Sequence, residues 1–188
     1  MSIFAAVTNW FRMVLKGKDQ AVSLPEPERK VQPVLVSIEG ESVKRYINEI
    51  ILHCSATPAS RDIGAKEIRD WHVKGNGWQD IGYHFVIRRS GDIESGRPMD
   101  QAGAHCIGHN ATSVGICLVG GVKEDGKTPE DNFTDAQFDM LAELIRALRV
   151  IRPKTKIYGH NEFANKACPV FDVDEFLESY GISREGAK

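Results

Sequence analysis

Continuous apolar segments, separated by segments with helical periodicity, constrain the fold of this chain more than any other feature. Residues 47–53 contain the uninterrupted triplet Ile50-Ile51-Leu52, and Val114–Val119 is a second apolar segment. Strands of this kind are typical of a sheet that is covered on both faces. Helical spacing recurs over 65–73 and 134–148. The sequence therefore predicts an α/β fold in which a central mixed β-sheet is flanked by helices.

Shorter elements complete this pattern. Thr134 and Gln137 have the spacing of a capping box, which marks the start of the longest predicted helix. The remaining predicted elements are a strand over Tyr83–Arg88, a turn at Ser90-Gly91-Asp92, a strand over Lys156–Tyr158 and a helix over 173–180.

Composition divides the chain into four parts. Residues 1–16 are predicted to form an amphipathic N-terminal helix, and 17–46 to form a linker-like extension in which prolines alternate with charged residues. The folded domain is expected over 47–181, and 182–188 is a C-terminal tail. One domain with an extension is consistent with a length of 188 residues.

Residues 1–16 leave three interpretations open. Their apolar side chains recur at the spacing of one helix face, which suits packing on the domain or on a partner copy. The same face suits contact with a membrane surface. An atypical export or anchor signal is the third interpretation. A secretory signal peptide is not expected, because no basic residue precedes the apolar part and Asn9, Trp10 and Arg12 interrupt it.

Charge and cysteine content narrow the range of partners and of cross-links. The formal net charge is -2, whereas nucleic-acid binding usually requires a basic surface, so no nucleic-acid partner is expected. Four cysteines lie at irregular spacings, and three of them stand within apolar segments. A framework of disulfides is therefore not expected, and a reducing place of synthesis fits better.

Three residues of the types that bind zinc follow or end predicted strands. His53 ends the first apolar strand, His160 follows Tyr158-Gly159, and Cys168 lies in the loop after His160. Two imidazoles and one thiolate are a ligand set that zinc takes in catalytic sites, where a fourth position stays open for water. Taken alone, three separated residues are a weak signal, since either histidine has an ordinary structural explanation.

The surrounding motifs resemble those of a known family, the zinc N-acetylmuramoyl-L-alanine amidases, which include the phage endolysins of the amidase type and the peptidoglycan recognition proteins. The motifs that carry the resemblance are 51–57 (ILHCSAT), 78–85 (WQDIGYHF), 113–121 (SVGICLVGG) and 160–169 (HNEFANKACP). The resemblance extends over about 47–180, in the family's order, and is strongest to the phage endolysin branch.

This resemblance implies a fold, a ligand set and an activity. It implies one Zn²⁺ per chain on His53, His160 and Cys168, and catalytic support from Tyr83 and Lys166. It places His105 near the substrate groove, as a substrate-binding residue. The implied partner is peptidoglycan, cut at the amide bond between N-acetylmuramic acid and L-alanine. A phage enzyme of this kind would be made in the host cytoplasm and act on the cell wall after release.

Two rival functions come from other classes. A cysteine hydrolase would use a thiolate with a histidine as base, and a recognition module would bind wall fragments without cutting them. Among the other polar residues, Cys54 and His84 are expected to point away from the site, because neighbouring side chains in a strand alternate between faces. His72 is expected to be structural or solvated, and Glu162 to be a surface residue.

Overall fold

The computed structural model of the chain describes residues 45–187, which form a five-stranded sheet with helices on both faces. The strands are β1 (Glu49–Cys54), β2 (Phe85–Ile87), β3 (Ile93–Ser95), β4 (Ser113–Leu118) and β5 (Lys156–Gly159). The helices are α1 (Ala65–Asp70), α2 (Asp135–Ile151) and α3 (Val173–Ser179). The predicted helix over 1–16 and nearly all of the 17–46 extension lie outside the described residues. Within 45–187, no helix is both long enough and apolar enough to cross a bilayer.

The sheet is mixed, as the sequence predicts. Its strand order is β3-β2-β4-β1-β5. The central strand β4 runs parallel to β1 and to β2, β1 also runs parallel to β5, and only β3 is antiparallel to its neighbour. Neighbouring parallel strands therefore end at one edge of the sheet. Ligand sites of open parallel sheets lie at this carboxyl edge.

Burial on both faces explains the continuous apolar segments. Side chains of β1 and β4 on one face, such as Ile50, Leu52 and Ile116, pack in a core that includes α2 and α3. On the other face, Val86, Cys117 and Val119 pack against Ile63 and Ile68, which lie before and within α1. A sheet covered in this way has no water-facing side that would need alternating polar residues.

The predicted start of α2 is confirmed in detail. The hydroxyl of Thr134 accepts a hydrogen bond from the N–H of Gln137 at 3.2 Å, and Gln137 Oε1 accepts one from the N–H of Thr134 at 3.1 Å. Gln137 is fully buried, and its Nε2 also donates to the carbonyl oxygens of Ile87 and Val119. One side chain thus caps the helix and attaches it to the ends of two strands.

The bounds of α1 and β2 differ from the prediction. α1 ends at Asp70, and a π-helical turn over Trp71–Gly75 follows it, whereas one helix was expected over 65–73. β2 begins at Phe85 rather than at Tyr83. Just before that point, the N–H of Gly115 on β4 donates to Nδ1 of His84 rather than to a backbone carbonyl, so the ladder is interrupted by a side chain.

Arg45, the first described residue, is attached to the folded domain. Its guanidinium donates to the carbonyl oxygens of Ala111 at 3.0 Å and Ser113 at 2.9 Å, and makes longer contacts of 3.3 Å with those of Met99 and Asn110. These acceptors lie at both ends of the segment over 99–113, so Arg45 ties this segment together before β4.

Candidate metal centre

The register of β1 and β5 brings two histidines together. Leu52 pairs with Gly159, so His53 of β1 and His160, which directly follows β5, are the next residues on two neighbouring parallel segments. Their ring centroids are 4.5 Å apart, and their exposed fractions are 1% and 8%. His160 opens a short 3₁₀ turn that ends at Glu162, which directs the chain into the loop that carries the cysteine.

The loop after His160 returns Cys168 to the two imidazoles. The N–H of Asn161 donates to the carbonyl oxygen of Cys168 at 2.7 Å, which closes the loop on itself. Sγ of Cys168 lies 3.7 Å from Nδ1 of His53. One ligand atom from each of His53, His160 and Cys168 lies within 4.8 Å of the other two.

These separations fit one zinc ion. Zinc bonds of about 2.3 Å to sulfur and about 2.0–2.1 Å to nitrogen, in tetrahedral geometry, separate two ligand atoms by about 3.5 Å. The distance of 3.7 Å between Sγ of Cys168 and Nδ1 of His53 is close to that value. Both histidines are buried, whereas Cys168 is only partly buried, so the cluster lies near the surface. Three residues can hold the ion and leave room for a water or a substrate oxygen.

Both imidazoles of the cluster are neutral. Burial lowers the pKa of His53 well below its usual value, and the neighbouring His105, His160 and Lys166 lower it further. Burial and the charge of Lys166 likewise lower the pKa of His160. Neutral imidazole is the form that binds a metal ion, so the environment prepares both side chains as ligands.

Cys168 has a thiol neighbour that the alternation of strand residues did not predict. Cys54 is buried, as expected, but its thiol lies close to that of Cys168. The neighbouring Cys54 thiol and burial raise the pKa of the Cys168 thiol. The backbone N–H of Cys54 also donates to Sγ of Cys168 at 3.2 Å, which would stabilise a thiolate once a cation neutralises its charge. The alternation of side chains along a strand did not predict this contact, because β1 ends at Cys54. Cys168 lies beyond the edge of the sheet, where it can contact side chains from both faces.

Tyr83 and Lys166 lie beside the cluster. The Tyr83 ring centroid is 5.1 Å from that of His53. Burial, followed by the nearby thiols of Cys117, Cys168 and Cys54, raises the pKa of Tyr83 well above its usual value, so its hydroxyl is a neutral donor. Lys166 is exposed, and its positive charge acts on both His53 and His160. The ring of Tyr83 thus lies beside that of His53, and the charge of Lys166 acts on both imidazoles.

The other polar residues considered from the sequence have partners elsewhere. Glu162 accepts hydrogen bonds from the N–H of Gly159 at 2.7 Å and from Arg184, so it is not free to act as a base. Nδ1 of His84 accepts from the N–H of Gly115, and Nδ1 of His72 accepts from the N–H of Gly82. His72 thus has a structural role, one of the two expected for it, and the ring nitrogens of His84 are held by the N–H of Gly115, the carbonyl oxygen of Gln101 and Arg45.

His105 contacts the cluster directly. Its Nδ1 lies 3.0 Å from Nε2 of His53, and its Nε2 lies 3.3 Å from the hydroxyl of Ser113. Burial lowers the pKa of His105 to about 2, with further contributions from His84, His160 and two arginines. The contact with Ser113 was missed in the sequence, where Ser113 is only the first residue of an apolar segment.

Two imidazoles and one thiol near the surface, at the edge of a parallel sheet, are a ligand set of the kind that hydrolases with a single metal ion use. The sequence profile of the family described as N-acetylmuramoyl-L-alanine amidase matches residues 43–171. The chain belongs to this N-acetylmuramoyl-L-alanine amidase family, whose members hydrolyse the amide bond between N-acetylmuramic acid and L-alanine.

Named relatives agree with this assignment. The chain is 48% identical to an endolysin of Enterobacteria phage K11, over 72% of this chain and 89% of the relative. Its fold is similar to that of the N-acetylmuramoyl-L-alanine amidase LysC from Clostridium intestinale, with a TM-score of 0.64, 29% identity, and coverage of 76% of this chain and 90% of the other. It is also similar to wild-type Drosophila PGRP-LB, with a TM-score of 0.57, 27% identity, and coverage of 79% of this chain and 89% of the other.

Proposed function

We propose that this chain is a zinc-dependent amidase and that it works as a phage endolysin on the peptidoglycan of a bacterial host. One observation carries the zinc assignment: ligand atoms of His53, His160 and Cys168, from three separate segments, lie within 4.8 Å of one another. The endolysin relative at 48% identity supports the biological role. The catalytic domain corresponds to 47–181, and peptidoglycan is the partner.

Each residue of the site has a chemical task in this proposal. His53, His160 and Cys168 hold the ion. When bound, zinc would act as a Lewis acid and would lower the pKa of a water ligand to about 7. The neutral hydroxyl of Tyr83 donates a hydrogen bond to the oxyanion that forms at the amide carbonyl. The ammonium group of Lys166 stabilises the same negative charge from the exposed side of the site.

The metal requirement is tested on the purified full chain. We expect about one zinc per chain by elemental analysis, loss of wall-degrading activity with a chelator, and recovery when zinc is returned. Cys168→Ser should lose both zinc and activity, while Cys106→Ser, which changes a buried cysteine that is not among the proposed ligands, should keep both. A chain without stoichiometric zinc would overturn the assignment.

The bond that is cut is tested on purified cell wall. An amidase releases new amino groups without new reducing ends, and a glycosidase does the reverse. A cysteine hydrolase would keep its activity in the presence of a chelator. A pure recognition module would bind the wall without any fall in the turbidity of a wall suspension.

Cellular location and the N-terminal segment are part of the same proposal. The enzyme is made in the host cytoplasm and reaches the wall after release, as its similarity to phage endolysins suggests. Residues 1–16 contact the membrane surface through their apolar face, an idea supported by the spacing of Phe4, Val7 and Phe11. Deletion of residues 1–16 should abolish binding to liposomes, and unchanged binding would disprove the contact.

A further inference from the structure

Both ring nitrogens of His53 have defined neighbours. Nδ1 faces the candidate metal position, because it lies 3.7 Å from Sγ of Cys168. Nε2 points away from that position and lies 3.0 Å from Nδ1 of His105. A neutral imidazole that binds a metal through one nitrogen carries its proton on the other. If Nδ1 of His53 is the ligand atom, Nε2 must therefore be the donor toward His105.

This direction fixes the protons of the next groups. Nδ1 of His105 accepts from His53, so the proton of the neutral His105 ring is on Nε2. That N–H faces the hydroxyl oxygen of Ser113 at 3.3 Å. The hydroxyl of Ser113 then donates to the carbonyl oxygen of His109 at 2.7 Å. The three hydrogen bonds thus point in the same direction, from His53 to the backbone carbonyl of His109. Each donor in the series has an acceptor.

The backbone is shaped to hold the His105 ring in this place. A Cβ added to Gly115 on β4 would lie 2.5 Å from Cδ2 of His105, and a Cβ added to Gly103 would collide with the same atom. Neither glycine has a positive φ, so the need for space, and not an unusual backbone conformation, explains both positions. Two glycines thus form a slot that fixes the plane of the ring. The backbone N–H of His105 is also held, by Oδ1 of Asn110 at 2.8 Å.

We infer that His105 is a positioning residue for the metal ligand His53, and that His53, His105, Ser113 and the carbonyl of His109 form one hydrogen-bonded relay that sets the ligand's tautomer and orientation. This inference rests on the proposed zinc site and assigns a role different from the substrate contact that the resemblance implies for His105. Both nitrogens of His105 are engaged by the protein, which leaves neither one for substrate. Partners of metal-bound histidines typically change metal affinity about 10–100-fold when removed.

Two substitutions of His105 distinguish the effect of its hydrogen-bond acceptor from the effect of its flat ring. His105→Phe keeps a flat ring in the glycine slot and removes the acceptor. His105→Asn places an amide oxygen at the position of Nδ1 and keeps the acceptor. We expect the zinc dissociation constant, measured by competition with a chelating dye, to rise about 10–100-fold in His105→Phe and to stay close to the wild-type value in His105→Asn. Ser113→Ala should weaken binding in the same direction and to a smaller degree.

Two further readouts distinguish positioning from other roles. Circular dichroism of the metal-free variants shows whether they fold; if His105→Phe does not, the comparison of Ser113→Ala with wild type decides the question. In the cobalt-substituted protein, the visible bands should shift in His105→Phe and be restored in His105→Asn. Equal zinc affinity in wild type, His105→Phe and Ser113→Ala, with a raised KM only, would overturn the inference and support substrate contact.

Failure of the inference is distinguishable from failure of the proposed function. If the wild-type chain binds no zinc, the zinc site itself is wrong. If the wild-type chain binds zinc and the relay variants bind it equally well, the zinc site stands and only the relay is disproved. Gly115→Ala should weaken zinc binding by displacing the ring, whereas Gly75→Ala, with no atom within 4 Å of the added Cβ, is the matched control.

Discussion

Burial determines the protonation state of the groups around the candidate metal centre. His53 and His160 are nearly inaccessible, and burial is the largest cause of the lowered pKa of each ring. The same effect raises the pKa of Tyr83 and keeps its hydroxyl protonated. The site therefore combines neutral ligands with a neutral donor near neutral pH, which suits metal binding and stabilisation of an oxyanion.

Removal of the Tyr83 hydroxyl tests its role as a donor. Tyr83→Phe should lower kcat by about 10²–10³-fold, the usual effect of losing one oxyanion donor, while zinc content stays at the wild-type level. Tyr180→Phe is the control, because that hydroxyl donates to Asp139 of α2 at 2.8 Å and its ring packs against the core that includes α2 and α3. A Tyr83→Phe enzyme with wild-type kcat would exclude the donor role.

At the scale of the elements, local patterns predicted the strands and helices, and contacts between distant segments decided the rest. The apolar segment in 47–53 and the Thr134 cap specified β1 and the start of α2, because each signal depends only on neighbouring residues. The contact of Cys54 with Cys168 and the relay through Ser113 join segments far apart in the chain. The sequence placed His53 and His160 at strand ends, but their adjacency depends on the β1–β5 pairing, which no local pattern reveals.

The attachment of α2 to the sheet can be tested at Gln137. Gln137→Leu leaves the carbonyl oxygens of Ile87 and Val119 and the N–H of Thr134 without this partner. The Ile87 oxygen keeps the N–H of Val119 as a donor, and the Val119 oxygen keeps a longer contact from Arg89, so the N–H of Thr134 loses the most. The free energy of unfolding in urea should fall by about 1–3 kcal/mol, the cost of one buried group left unsatisfied. Gln79→Leu, at an exposed position, should change it little; equal effects would argue against the contact.

At the scale of the whole molecule, the family match begins at residue 43 and Arg45 contacts the carbonyl oxygens of four residues of the domain. We therefore expect a chain that lacks residues 1–42 to keep wild-type activity on purified wall. In that shortened chain, Arg45→Met should lower the free energy of unfolding by about 1–3 kcal/mol. Inactivity of the shortened chain, with zinc still bound, would show that the extension takes part in catalysis.

The pH dependence of stability contains a contribution from His84. Burial lowers the pKa of His84 from 6.5 to about 4. The unfolded chain therefore takes up a proton on this residue at a higher pH than the folded chain does. The contribution of His84 to the free energy of unfolding is therefore fully present above pH 6.5 and decreases as the pH falls toward 4. The total loss from this group is about 3 kcal/mol.

The test compares wild type with His84→Asn, in which the amide oxygen can still accept from the N–H of Gly115. The free energy of unfolding in urea is measured at pH 7 and at about pH 4.5, and the second value lies between the two pKa values of His84. A chelator is present in both measurements, so that bound metal does not contribute. The variant should lose less stability than wild type between these two pH values. An equal loss would show that His84 does not carry the effect.

The β1–β5 pairing has a consequence for how such a centre can vary. Of the three proposed ligands, His53 lies in β1 and His160 directly follows β5, so the sheet sets both positions, whereas Cys168 comes from a loop closed by a backbone hydrogen bond to Asn161. A carboxylate could take the place of the thiolate in that loop without any change in the strands. The ligand at position 168 can therefore change in evolution while both imidazoles keep their positions.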